Sequence, residues 1–283
     1  MSERGERPDP HVAVERDVLV RYLDAWTAAA LRSQRGATYV SCAGRDFAAD
    51  AFRVFGEFVD RLEGHHLDMV LAGAAPDLGE PPPGLAVRVV ADPADVTAAG
   101  PALAHLDVVA SIAEADAWRL VASLKPREVV LTLPAHPETD YRKRLRAAGT
   151  ACAVAVELVA DDGRAHLLVF ATGKSRQLEM FKNELWAADE FAGIRYRDPH
   201  DPEHTLVDIS LTPQLLPLRR MLLAELARQG RSTVADLQRH TLLETIYRPA
   251  DTVGALASAV AAGEITREPE KGRLTHRTVV APA

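Results

Sequence analysis

Between residues 37 and 173 short apolar runs alternate with spacers long enough for a helix, and this rhythm constrains the fold more than any single motif. The runs are ATYVSCAG (37–44), LDMVLAG (67–73), LAVRVVAD (85–92), LDVVASI (106–112), REVVLTL (127–133), ACAVAVELVA (151–160) and HLLVFATG (166–173). Runs of this length, rich in β-branched residues and separated by helix-compatible segments, predict a mainly parallel sheet with right-handed crossovers. Asp161, Asp162, Gly163 and Arg164, with Ala165, separate the last two runs. Asp-Gly between apolar strands is a hairpin signal, so the sheet is expected to close with an antiparallel pair. The fold class is therefore α/β.

Residues 164–196 link this sheet to the C-terminal part of the chain. The run Leu167 to Phe170 reads as a strand covered on both faces, and after Gly-Lys-Ser the positions Leu178, Phe181, Leu185 and Trp186 form one apolar stripe on a helix. Earlier, Val14, Val18, Leu19, Tyr22, Leu23 and Trp26 mark a helix lying against the sheet. A second helix comes after the first strand, with Phe47, Phe52, Phe55, Phe58, Val59 and Leu62 expected on its buried side. Two further helices are expected through Ala117 to Leu124 and Tyr141 to Ala148.

The 283 residues suffice for a body of about 200 residues and a smaller unit. No apolar run approaches the roughly 20 residues of a membrane span, and the first 17 residues are too charged for a signal peptide, so a cytoplasmic location is expected. Cys42 and Cys152 fall on separate apolar strands and are expected to be reduced core thiols. Charge is unevenly placed. Residues 1–211 carry 23 Lys and Arg against 33 Asp and Glu, whereas residues 212–283 carry 10 against 7. A polyanion would meet only the tail.

A helix ending YLDAW, the strand YVSCAG, the late strand LLVFATG, the helix LEMFKNELW and the segment TIYRPADTVGALASAVAAGEIT succeed one another in order. In that order and spacing the chain resembles the three-Cys-motif partner protein family, best over about 164–268. The resemblance implies a Rossmann-like methyltransferase sheet at 18–211, preceded by a polar segment at 1–17, and a small winged-helix-like domain at 212–283.

In the proteins it resembles, the first strand ends in a pattern like Asp-x-Phe-Ala-Gly-x-Gly, whose glycines let backbone approach S-adenosylmethionine at the carboxyl ends of the strands. The matching positions here run from Ser41 to Asp46, and Ala43 and Gly44 keep the pattern. Ser41 replaces the aspartate, and Arg45 puts a long side chain where close backbone approach is needed. The second run ends in Gly73 without the acid that would hold ribose hydroxyls, and Ser111-Ile112 stands where Asp-Pro would be. Asp92 could meet an adenine amino group or serve as a turn cap. Ser41, Ala43, Gly44, Asp92 and Ser111 are thus the candidate cofactor residues of a pocket expected to be degenerate, with no cofactor expected. An active S-adenosylmethionine-dependent methyltransferase with an atypical pocket is the alternative.

Other constellations are weaker. GKS at 173–175 lacks the upstream glycine of a phosphate-binding loop. In RDPHDPEH (197–204) two prolines break any helix that would align His200 with His204, so a solvated loop is expected and no metal site. His65 and His66 read as surface.

From Thr212 the tail predicts three helices. Pro217 lies in the first turn of one that Gly230 stops, Ser232-Thr233 caps the second, and Pro249 and Asp251 open the third. GEITREPEKGRLTHRTVV then predicts two strands around Lys271-Gly272. Three helices and a ribbon make a winged helix. Arg248, Arg267, Lys271, Arg273 and Arg277 are the candidate contacts to nucleic acid or a protein partner. The third helix offers only Thr252 and Ser258 as polar groups between 252 and 262. It is therefore expected to read bases poorly, leaving phosphate contact without sequence preference, or protein docking.

Overall fold

The computed structural model describes residues 9–33, 35–73, 76–98, 100–136, 140–190 and 193–283. Helix α1 (Pro10–Ser33) precedes strand β1 (Gly36–Cys42), and α2 (Arg45–Gly56) leads to β2 (His66–Ala72). Strands β3 (Leu85–Val90) and β4 (Ala102–Asp107) come next, then α3 (Glu114–Leu124), β5 (Glu128–Pro134) and α4 (Tyr141–Ala147). The hairpin of β6 (Cys152–Ala160) and β7 (Ala165–Thr172) leads into α5 (Ser175–Trp186) and two short strands, β8 (Ile194–Arg197) and β9 (Leu206–Asp208).

These strands form one sheet of nine in the order β3-β2-β1-β4-β5-β7-β6-β8-β9. Pairing is parallel from β3 to β5 and antiparallel from β5 through β9. The expected hairpin is present, with β7 inserted between β5 and β6. Both faces are covered, which is why β1 and β5 are buried at nearly every position. One face packs on α1, α2 and α5 through Tyr22, Phe55, Phe170, Phe181 and Trp186; the other packs on α3 and α4 through Trp118, Val121 and Leu145. Among the described residues no helix is long and apolar enough to cross a membrane.

Two readings need correction. The fourth strand is Ala102–Asp107, not 106–112. The Asp107 carboxylate accepts hydrogen bonds from the Val109 and Ala110 amides, which turns the chain before the apolar residues run out. Val59 is 40% exposed, because α2 stops at Gly56 and Val59 opens a separate single turn.

The C-terminal segment carries α6 (Leu216–Gln229), β10 (Ser232–Thr233), α7 (Val234–Glu244) and α8 (Asp251–Ala261), then β11 (Ile265–Glu268) and β12 (Val279–Pro282). The three strands pair antiparallel in the order β10-β12-β11. Thr233 caps α7 through a reciprocal pair of bonds with Asp236, and Gly230 ends α6 at φ 82°, where a side chain would be strained. Leu222, Leu226, Leu237, Leu256 and Val280 belong to the same continuous cluster as the α1 and α5 face of the sheet.

A polar joint accompanies that shared core. Lys182, wholly buried on α5, donates to the carbonyls of Thr241, Leu242, Thr245 and Tyr247 at 2.6 to 2.9 Å. It closes the C-terminal end of α7, where carbonyls lack helical partners. Beside it, Trp186 Nε1 donates to Ile246 O, and Ile246 N donates to Asp198 Oδ2.

Candidate functional site

The carboxyl ends of the parallel strands bring some of the expected residues together. Only Ala43 and Gly44 separate β1 from α2, so the chain turns tightly here. A Cβ added to Gly44 would stand 3.9 Å from Ser111 Oγ, so the loops after β1 and β4 meet. Arg45 and Asp46 open α2 and are exposed. Ser41 is buried at 2% exposure, and its Oγ has no hydrogen-bond partner among the described residues.

Asp92, after β3, is exposed and acts as a turn cap. Its Oδ1 accepts the Ala94 amide at 2.8 Å and caps the turn after β3. Asp107 is an acid that sequence reasoning misses, because the apolar run continues beyond it and hides the end of the fourth strand. Its Oδ1 holds the Val109 and Ala110 amides at 2.9 and 3.0 Å, and its Oδ2 lies 3.4 Å from Ser111 Oγ. The available signal is an aspartate inside an apolar run.

A second cluster lies where α1 crosses the end of β5. Thr132, opposite Asp107 in the parallel register, donates to Glu15 Oε2 at 3.2 Å. Glu15 Oε1 faces His166 Nδ1 at 3.6 Å and makes no hydrogen bond among the described residues. Burial pushes the Glu15 carboxyl up, and the charge of Asp107 adds to this, while His166 and Thr132 oppose it. His166 stacks on the wholly buried His11 at 4.1 Å. His11 in turn reaches Leu158 O at 3.1 Å and Asp9 at 3.2 Å. Burial works against the charge on Asp9, but hydrogen bonds from Arg164 and His11 outweigh it and hold the carboxyl at about 2. Glu15 and His166 thus stand as a carboxyl–imidazole pair just beyond direct hydrogen-bond reach.

The basic residues of the tail divide into two kinds. Arg248 is tied to Asp251 through two nitrogens at 2.9 and 3.0 Å and to Leu211 O, so it is a structural clamp and not a free contact. Arg267 points its guanidinium at the carbonyls of Pro269 and Gly272 at 2.9 and 2.8 Å, bracing the loop between β11 and β12. Lys271, Arg273 and Arg277 are exposed on that loop. On α8, Thr252 is buried against Thr241, and Ser258 accepts from Arg219.

The 197–204 segment is only partly the solvated loop expected. His200, Glu203 and His204 are exposed, but Asp198 and Asp201 are buried. Asp201 accepts from Arg220, which ties the loop to α6. Among the described residues no cluster of His, Cys, Asp and Glu could hold a metal ion. GKS at 173–175 falls at the opposite end of the strands, after β7.

No family model matches the chain, and no curated protein does. Solved structures give distant similarity. EvdMO1 aligns at 8% identity over 58% of this chain and 43% of its own, with a TM-score of 0.36. A protein of Legionella pneumophila aligns at 10% identity over 59% of this chain and 86% of its own, also at 0.36. The chain thus spans less than half the length of the first.

Proposed function

We propose that the chain is a methyltransferase-like protein whose S-adenosylmethionine pocket is degenerate, and that its C-terminal winged-helix arrangement serves as an interaction module. The observation that carries this reading is the use made of the two acids at the strand ends. Asp92 and Asp107 both spend carboxylate oxygens on amides of their own loops. Each therefore has its Oδ1 committed to its own loop, and β2 ends in Ala72 and Gly73 without an acid. The strand order, with a reversed β7 between β5 and β6, supports the methyltransferase-like part.

On the tail, the succession of α6, α7 and α8 and then the sheet of β10, β12 and β11 supports the winged-helix part. Because Thr252 and Ser258 are already bonded, α8 offers little to base edges. Exposed Lys271, Arg273 and Arg277 favour phosphate contact without sequence preference, or an acidic protein surface.

Calorimetric titration with S-adenosylmethionine and with its demethylated product tests the first half. Binding is expected to be absent or weaker than about 1 mM, less than about 4 kcal/mol. A micromolar dissociation constant would overturn the degenerate pocket and install the active enzyme in its place. The meeting of Gly44 with Ser111 and the nearby Glu15–His166 pair are the observations that keep that second reading in view.

A further inference from the structure

We propose that a cleft at the amino ends of the parallel strands binds a small organic anion, a phosphate or carboxylate carried on an apolar body. The cleft encloses about 400 Å³, within the range of small-molecule sites. It lies at the opposite end of the strands from Gly44 and Ser111, among the loops entering β4 and β5, the loop entering β6, and the turn from β7 into α5. It therefore stands apart from the cofactor question.

Three cations line it: Lys125 and Arg127 from the α3–β5 connection, and Lys174 at the start of α5. All three are exposed, and among the described residues none is in an ion pair. The acid between them, Glu128, is buried and accepts the Tyr22 hydroxyl. Burial pushes its carboxyl up, and Lys174 and Arg127 partly offset this. With three exposed cations against one buried acid the cleft mouth is positive, and the N-terminal end of α5 adds to the same field. Gln177 contributes a buried side-chain oxygen with no hydrogen-bond partner among the described residues, which suits an N–H or O–H of a ligand. Trp26 and Met180 supply apolar wall. Lys125 ends α3 at φ 44°, where glycine would sit without strain. A lysine held there against backbone strain is a placed charge.

The full-length chain is titrated calorimetrically at low salt with phenyl phosphate and with benzoate, which separate a phosphate from a carboxylate preference, and with inorganic phosphate as the head group alone. At least one aromatic anion is expected to bind at about 1 mM or tighter. Inorganic phosphate is expected to bind about tenfold more weakly or worse, having no apolar body to bury. Arg127→Ala with Lys174→Ala should weaken binding by at least about tenfold with an unchanged melting temperature, since both side chains are exposed. Lys125→Gly should weaken binding while raising the melting temperature, a combination that misfolding would not give. Lys271→Ala with Arg273→Ala should bind as the parent does. Three results would each overturn the proposal: no binding of either aromatic anion below about 10 mM, equal affinity for inorganic phosphate, or full binding by the Arg127/Lys174 variant.

Discussion

Replacing Lys182 by methionine keeps the apolar stem, ending one atom short of Nζ, and removes the donors. The four buried carbonyls of Thr241, Leu242, Thr245 and Tyr247 would then lose Nζ, although that of Thr241 keeps the Thr245 hydroxyl. Two effects set the size of the loss. Unsatisfied buried acceptors and a broken charged cluster cost about 3–5 kcal/mol. Against this, burial draws the Lys182 ammonium down from 10.5 to about 7, while Asp198, Asp251 and Glu244 pull it up. At about 1.4 kcal/mol per pH unit, the depression is worth about 5 kcal/mol of penalty on the charged form. Methionine escapes that penalty, so Lys182→Met should cost little near pH 7 and about 3 kcal/mol more near pH 9.

The sign comes from proton counting. Between about 7 and 10.5 the unfolded chain holds a proton on Lys182 that the folded chain has released, so stability rises with pH across that window. Urea denaturation of the parent and of Lys182→Met at pH 7, 8 and 9 gives the two curves. The parent should gain about 2–3 kcal/mol from pH 7 to 9 relative to the variant. Parallel curves would refute the reasoning. They would mean that four carbonyls at the end of α7, more acceptors than a neutral amine has protons, keep Lys182 charged throughout.

Three further outcomes can be measured. Cys42 and Cys152 are 3% and 8% exposed, and burial lifts the Cys42 thiol to about 11, so neither should react with a thiol reagent on the minute scale without denaturant. Glu15 has a carboxyl raised by burial, so the folded state loses stability as pH climbs above 4.5; Glu15→Gln should flatten that decline, read from melting at pH 4 to 8. If the tail holds phosphates, Lys271→Ala with Arg273→Ala should lower the salt dependence of duplex binding by about two contacts for every sequence tried. Absence of retained DNA and RNA at low salt would remove nucleic acid as the partner.

The sheet is readable from the apolar runs because its strands are buried on both faces, and such strands need little tertiary context to declare themselves. The bounds of β4 are not, because ALAHLDVVASI is apolar well past the strand's end, and a side chain-to-backbone bond from Asp107 decides where it stops. β8 and β9 have four and three residues, too short for a period to show. Lys182 is invisible for a different reason. A lysine on an amphipathic helix is ordinarily solvated, and only the arrival of α7 makes its burial intelligible. The same holds for Asp198 and Asp201, whose partners lie in the tail. Arg248 and Arg267 look from sequence like Lys271 and Arg273; carbonyls and one carboxylate nearby set them apart.

Helix α5 is a strut loaded at both ends. Toward its start Gln177 and Met180 wall the cleft, and toward its end Lys182 and Trp186 are pinned to the backbone of the tail. At 1.5 Å of rise per residue, the backbone positions of Gln177 and Lys182 are about 8 Å apart along one rod. A rod of twelve residues does not bend at that scale, so a tilt that widens the cleft also drags four carbonyls of the α7 terminus. For this chain, mechanical independence of sheet and tail would require breaking α5 itself.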